Sequence, residues 1–118
     1  MTHTSEHGCV FCGLALMDRH RHLGLILNIE PLNPVVPGHR IFIPPVHVVN
    51  AASNPKITGD VFADAALWGA MRDEDFNLIV NSGRAATQSV DHLHVHYVPR
   101  AEGDGLSLPW TGQIKERA

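Results

Sequence analysis

The chain has 118 residues and a formal charge of −3 with neutral histidine, and its nine histidines equal its lysines and arginines combined. That length allows one domain with a modest core, and the negative balance, without any run of five basic residues, argues against a duplex-DNA partner. No apolar stretch nears the ~18 residues of a membrane span and the polar start is unlike a signal peptide, so the chain is expected to be soluble and cytoplasmic, with no membrane partner.

In chain order, residues 1–8 read as a flexible N-terminus, with His3 and His7 unpartnered. Cys9-Val10-Phe11-Cys12 has the spacing of half a zinc site, and free core cysteines flanking Phe11 are an equal alternative. A disulfide framework is not expected from two cysteines without a secretory context. Gly13 to His22 allows a turn or two of irregular helix ending in the basic cluster Arg19-His20-Arg21-His22, read as solvated surface.

Leu23 to Ile29 is an uncharged apolar run and predicts a buried strand. Glu30 to Gly38, with three prolines and a glycine, cannot continue it and predicts a structured turn. His39 to Pro44 resumes the strand pattern and is expected to pair with the first strand as an antiparallel hairpin. Beyond a loop, Ile57 or Thr58 to Met71 predicts a helix whose core face is Val61, Ala65, Leu67, Trp68 and Met71. Phe76 to Val80 predicts a third strand, followed by a small polar loop through Asn81, Gln88 and Ser89.

Asp91-His92-Leu93-His94-Val95-His96-Tyr97-Val98-Pro99 then alternates imidazole with apolar side chains at a period of two. On an extended strand His92, His94 and His96 share one face, with the outer pair roughly 13 Å apart at ~3.3 Å per residue. Three such rings cannot all reach one ion with bonds of ~2.1 Å. Stability alone has no use for three titratable rings in a row. Two readings stand: a metal site, or a histidine nucleophile with supporting histidines for an anionic substrate. A loop of neutral donors beside the row suits a phosphate.

His92-Leu93-His94-Val95-His96-Tyr97-Val98 resembles the His-x-His-x-His-x-x signature of the histidine triad (HIT) superfamily. The resemblance continues in Pro37-Gly38-His39 with the Ile41–Pro44 strand, in Asn81 with Gln88-Ser89-Val90, and in Pro99-Arg100 with Gly103-Asp104-Gly105. It covers residues 9–112, leaving 113–118 as a tail. What it implies is an α+β fold, a mostly antiparallel sheet of about five strands with one shortened main helix, joined through its sheet in a homodimer.

The implied function is nucleotidyl hydrolase or transferase chemistry on the α-phosphate of nucleoside phosphoramidates, dinucleoside polyphosphates or related purine nucleotides. His94 corresponds to the nucleophile, forming a nucleotidyl-histidine, with His96 assisting leaving-group protonation or stabilising charge. His39 would orient the row, Gln88 and Ser89 would hold phosphate oxygens beside Val90, and Asn81 would contact the sugar-phosphate. Ribose recognition would fall to Asn28 or Glu30, because Pro31 stands where the family has an acidic or amide side chain. Leu25 to Ile29 and Phe11 would line the base pocket. Members with an N-terminal Cys-x-x-Cys carry a structural zinc, implying Cys9, Cys12, His47 and His92 as ligands and no organic cofactor. Thr87 replaces the family's glycine and predicts a less tightly turned loop. Two other functions fit the same residues: a nucleotide-binding regulator with little turnover, and a metal-dependent hydrolase. The latter needs a carboxylate base near the row, and Asp91 points to the other strand face.

Overall fold

A computed structural model describes residues 9–17 and 25–110. The expectations for residues 1–8, for the basic cluster 19–22 and for the tail 113–118 lie outside the described residues.

Helix α1 spans Val10–Met17, strands β1 and β2 span Leu27–Ile29 and Arg40–Ile43, and helix α2 spans Pro55–Arg72. Strands β3 and β4 follow at Phe76–Val80 and Val95–Pro99. Among the described residues the sheet has four strands in the order β1-β2-β4-β3, each pairing antiparallel. The expected hairpin is present, with Asn28 opposite Phe42. The mixed helix and antiparallel sheet is the α+β architecture the sequence implies.

The sheet's two faces do different work, because alternate residues of a strand point to opposite sides. Phe42, Val95 and Tyr97 face α2 and join Val61, Ala65, Val48 and Leu93 in one buried cluster. Leu27, Ile41 and Ile43 face the other way and are covered by Phe11 of α1. His96 pairs with Ile41 on β2 and Ile79 on β3, so it shares this second face, away from α2.

Helix α2 runs for 18 residues, starting slightly before the expected Ile57 or Thr58 and ending one residue past Met71. Asn54 caps it by accepting from the Ile57 N–H at 3.0 Å, Pro55 starts it, and Asp73 ends it in the left-handed region at φ 53°. Its buried stripe is Val61, Ala65 and Gly69, a spacing of four that keeps to one side. A Cβ on Gly69 would meet the Phe76 ring at 2.3 Å, so only glycine allows β3 to approach here. The predicted face was too wide: Leu67 and Met71 are 58% and 69% exposed, while Trp68 packs on the cluster from its edge.

Candidate active site

The predicted histidine strand starts later than alternation suggests. Only His96 lies within β4; His92 sits in a bend and His94 in the irregular stretch just before the strand. The Leu93 N–H donates to the Val48 carbonyl at 2.6 Å, pinning this entry segment across the Pro44–Val48 turn.

Each ring has its tautomer set by a neighbour. His92 Nε2 lies 3.1 Å from the Pro44 carbonyl, which can only accept, so Nε2 carries the proton and Nδ1 presents a lone pair. His94 Nδ1 lies 2.9 Å from the His92 carbonyl, so its Nδ1–H donates and Nε2 keeps the lone pair. The Val35 N–H donates to His39 Nδ1 at 3.0 Å, which puts the His39 proton on Nε2. That N–H points at His96 Nδ1, 3.0 Å away, leaving His96 neutral with a free Nε2–H donor. The His94 and His96 ring centres are 5.1 Å apart, and Phe11 packs edge-on against His94 at 5.0 Å. A ring nitrogen with an unshared lone pair and a ring N–H donor therefore stand on adjacent rings.

Burial favours these neutral states. It pushes His96 down to about 4, helped by His94 and His39, and lowers His94 and His39 as well. Their folded values lie below the unfolded 6.5, so between about 4 and 6.5 the unfolded chain binds protons that the folded chain refuses. Stability from these rings is complete above 6.5 and declines as pH falls from there toward 4. Melting temperature measured from pH 7.5 to 4.5 is expected to fall with this onset, and His96→Asn to flatten the decline.

Cys9, Cys12, His47 and His92 converge, their ligand atoms all within 4.8 Å of one another. The His92 lone pair at Nδ1 faces Cys9 Sγ at 3.5 Å and Cys12 Sγ at 3.4 Å, and His47 Nδ1 lies 3.2 Å from Cys12 Sγ. Tetrahedral zinc with bonds of ~2.0–2.3 Å separates its donors by about 3.5 Å. Two thiols and two imidazoles at these spacings are compatible with zinc. Four protein donors also leave no open coordination position. His92 thus turns its free nitrogen to the cysteines, while His94 and His96 make no contact with them in the described hydrogen bonds.

The loop before the row is tighter than Thr87 suggested. Residues 84–86 form one 3₁₀ turn, closed by Thr87 N–H to the Arg84 carbonyl at 2.9 Å. Thr87 itself is held left-handed at φ 68°, where a β-branched residue is strained. Thr87→Gly is expected to remove ~1–2 kcal/mol of strain, partly offset by ~0.5–1 kcal/mol of backbone entropy. Thermal melting should show a rise of roughly 2–6 °C.

Gln88 braces this loop rather than reaching outward. Its amide nitrogen donates to the Val49 and Val90 carbonyls at 2.7 and 2.9 Å, and its oxygen accepts from the Gly83 N–H at 2.8 Å. The expected direct contact of its side chain with phosphate is corrected accordingly: both polar atoms are already engaged. The Ser89 side chain is exposed, and Val90 packs on the Phe11 cluster. Among the described residues the backbone N–H groups of Ser89 and Val90 have no acceptor.

Asn28 is also corrected. Its pairing with Phe42 turns it to the α2 face, where its Oδ1 accepts from Arg40 Nε at 2.8 Å. That arginine stacks over Trp68 at 5.4 Å. A side chain across the sheet from His96 cannot hold the same ligand. Glu30 is exposed just past β1. Asn81, in contrast, lines a cavity together with His39 and His96.

The HIT domain family model matches residues 22–103. The chain belongs to the HIT family. It is 30% identical to an adenylylsulfatase of Arabidopsis thaliana over 97% of the chain, though it spans 61% of that protein's length. It is 29% identical to an adenosine 5'-monophosphoramidase of Saccharomyces cerevisiae, covering 93% of this chain and 74% of that one. Among solved structures, a zinc-bound histidine triad protein from Mycobacterium smegmatis superposes with a TM-score of 0.66 at 31% identity. That match covers 86% of this chain and 81% of the other.

Proposed function

We propose that this HIT protein is a nucleotidyl hydrolase or transferase that cleaves at the α-phosphate of a nucleotide derivative through a covalent intermediate on His94. The observation that carries the reading is the His94 Nδ1–H bond to the His92 carbonyl, which leaves Nε2 as the nucleophilic lone pair beside His96. The names of the Arabidopsis and Saccharomyces relatives, both acting on an adenosine 5'-phosphate derivative, support the substrate class.

Phosphorus would sit over His94, its non-bridging oxygens on the free N–H groups of Ser89 and Val90 and on His96 Nε2–H. The His94 Nε2–P bond forms as the bond to the leaving group breaks, and the leaving atom takes a proton from solvent. Water then attacks phosphorus, the His94–P bond breaks, and a proton returns to solvent. His96 serves as a fixed hydrogen-bond donor here. As a net acid it would need a proton on Nδ1, which already accepts from His39. Of the two roles expected for it, charge stabilisation is the one its hydrogen bonds support. The nucleoside would lie toward Phe11, Ile29 and Val90 on the apolar side of the face, with Asn81 on the sugar-phosphate.

Cys9, Cys12, His47 and His92 would hold zinc, whose contribution is structural: it ties α1 to the segment that presents His94. The closed donor set argues against the metal-dependent hydrolase alternative. The reading is tested by incubation with adenosine 5'-phosphoramidate in ¹⁸O-water. AMP carrying one ¹⁸O on its phosphoryl group is expected; tight nucleotide binding without AMP release would make the protein a binding module instead.

A further inference from the structure

Cys9 and Cys12 are the two cysteines of the chain, and both are thiols in the structure. They share the first turn of α1. The Gly13 N–H donates to the Cys9 carbonyl at 3.0 Å, and the Cys12 N–H donates to Cys9 Sγ at 3.3 Å. Cys9 thus caps the helix to which Cys12 belongs. Residues three apart in such a turn have Cα atoms roughly 5 Å apart, inside the ~4.4–6.8 Å that a disulfide spans. The two sulfurs lie within 4.8 Å of each other.

We propose that Cys9 and Cys12 form a reversible redox site: a low-molecular-weight disulfide converts them to an intrachain disulfide, which ejects zinc from the donor set and loosens α1 from the histidine row. The proposal rests on the zinc reading of these four residues and adds a covalent modification that controls it. Three observations carry it. The first is unequal access. Cys12 is 2% exposed, while Cys9 is partly open to solvent. An external oxidant meets Cys9 first, and Cys12 stands behind it as the resolving sulfur.

The second is the donor count. Zinc is bound by thiolate, and a sulfur in a disulfide has no such charge to offer. Oxidation of the pair leaves His47 and His92, two donors of the four. Bond formation also turns Cys12 Sγ toward Cys9 and away from His47 and His92, which lie 3.2 and 3.4 Å from it. The donor set is complete only while the pair is reduced.

The third is what the pair holds in place. Among the described side chains of α1, Phe11 and Cys12 are buried, and Val10 is 61% exposed. Phe11, between the two cysteines in sequence, packs edge-on to His94 at 5.0 Å and to His92 at 6.0 Å. It also covers Leu27, Ile41 and Ile43. One ring and one sulfur therefore dock the described part of this helix, and the redox site takes one of them away. His92 stays on the Pro44 carbonyl and His94 on the His92 carbonyl. The nucleophile keeps its orientation while the apolar wall beside it loosens.

In the step itself, Cys9 Sγ attacks one sulfur of the external disulfide, whose S–S bond breaks and releases one small thiolate. Cys12 Sγ then attacks Cys9 Sγ in the mixed disulfide, and the second small thiolate leaves. The cysteine sulfurs give up two electrons in total. The external disulfide takes both and ends as two thiols protonated from solvent.

The test exposes the reduced, zinc-loaded chain to oxidised glutathione at low temperature. It reads intact mass, zinc captured by a colorimetric indicator, amide hydrogen exchange, and AMP release from adenosine 5'-phosphoramidate. The mass is expected to fall by about two daltons, the two hydrogens lost to a disulfide, with about one zinc released per chain. Exchange in residues 10–17 should quicken at least about tenfold while that of residues 95–99 stays unchanged. KM should rise about fivefold, with kcat changed by less than about twofold. Dithiothreitol with zinc should reverse all four. Zinc retained with both thiols still open to alkylation, a lasting glutathione adduct, a disulfide between two chains, or unchanged exchange in residues 10–17 after the bond has formed would each overturn the proposal. A reduced chain that binds no zinc removes the zinc reading and the proposal together. Absence of AMP release from the reduced, zinc-loaded chain, with mass, zinc and exchange responding as expected, removes the hydrolase reading and leaves the redox site.

Discussion

His94→Ala is expected to lower kcat/KM on an adenosine phosphoramidate by about 10³-fold or more, with nucleotide binding retained. The magnitude follows from what is lost. The other three rings of the site are committed as donors or ligands: His92 aims its lone pair at the cysteines, His39 donates to His96, and His96 has its lone pair occupied. Among these four rings, His94 Nε2 is the one lone pair with no partner in the described hydrogen bonds. Truncation also removes a buried ring that touches Phe11, which costs ~1–3 kcal/mol of packing. Melting should therefore drop by several degrees at ~4–8 °C per kcal/mol, far too little to account for the kinetic loss. Steady-state kinetics with calorimetric binding of AMP measures both quantities. Turnover within a factor of ten of wild type would assign the reaction to another group.

Cys12→Ser, or removal of the zinc proposed for this donor set, carries the largest expected effect on stability. Cys12 is buried, and its thiol meets both His47 and His92. Metal bound at about a thousand times its Kd stabilises by ~4 kcal/mol, so stripping it should lower the melting temperature by roughly 15–30 °C. The kinetic consequence is expected to be smaller, because the Pro44 carbonyl still holds His92 and the His92 carbonyl still orients His94. A chelator series read by metal analysis, thermal melting and AMP release at low temperature checks this. Complete loss of turnover in a chain that remains folded would mark the metal as catalytic.

The residues of the candidate site are legible because their pattern is local. His92, His94 and His96 at a period of two announce a shared face, and Cys9-x-x-Cys12 announces half a ligand set. The strands of the hairpin and β3 follow from apolar runs bounded by Pro44-Pro45 and by Asn81-Ser82-Gly83. What escaped depends on register and on long-range carbonyls. Asn28 looks available for a ribose until its pairing with Phe42 turns it across the sheet. Gln88 looks like a phosphate donor until Val49, distant in sequence, takes its amide. Leu67 and Met71 match a helical period loosely, but α2 presents a narrow stripe to the sheet and Gly69, invisible to hydrophobic spacing, is what lets Phe76 approach. Arg100 and Asp104 were noted as part of a pattern; four residues apart among glycines, they also signal a salt-bridged turn, and that turn walls the cavity.

The most direct measurement of the central claim is intact-mass spectrometry of the protein quenched during turnover of an adenosine phosphoramidate without exposure to acid. A covalent adenylyl adduct is predicted, mapping to the peptide that contains His94 and missing from His94→Ala. An adduct on any other residue, or AMP release by His94→Ala at the wild-type rate, would contradict the account.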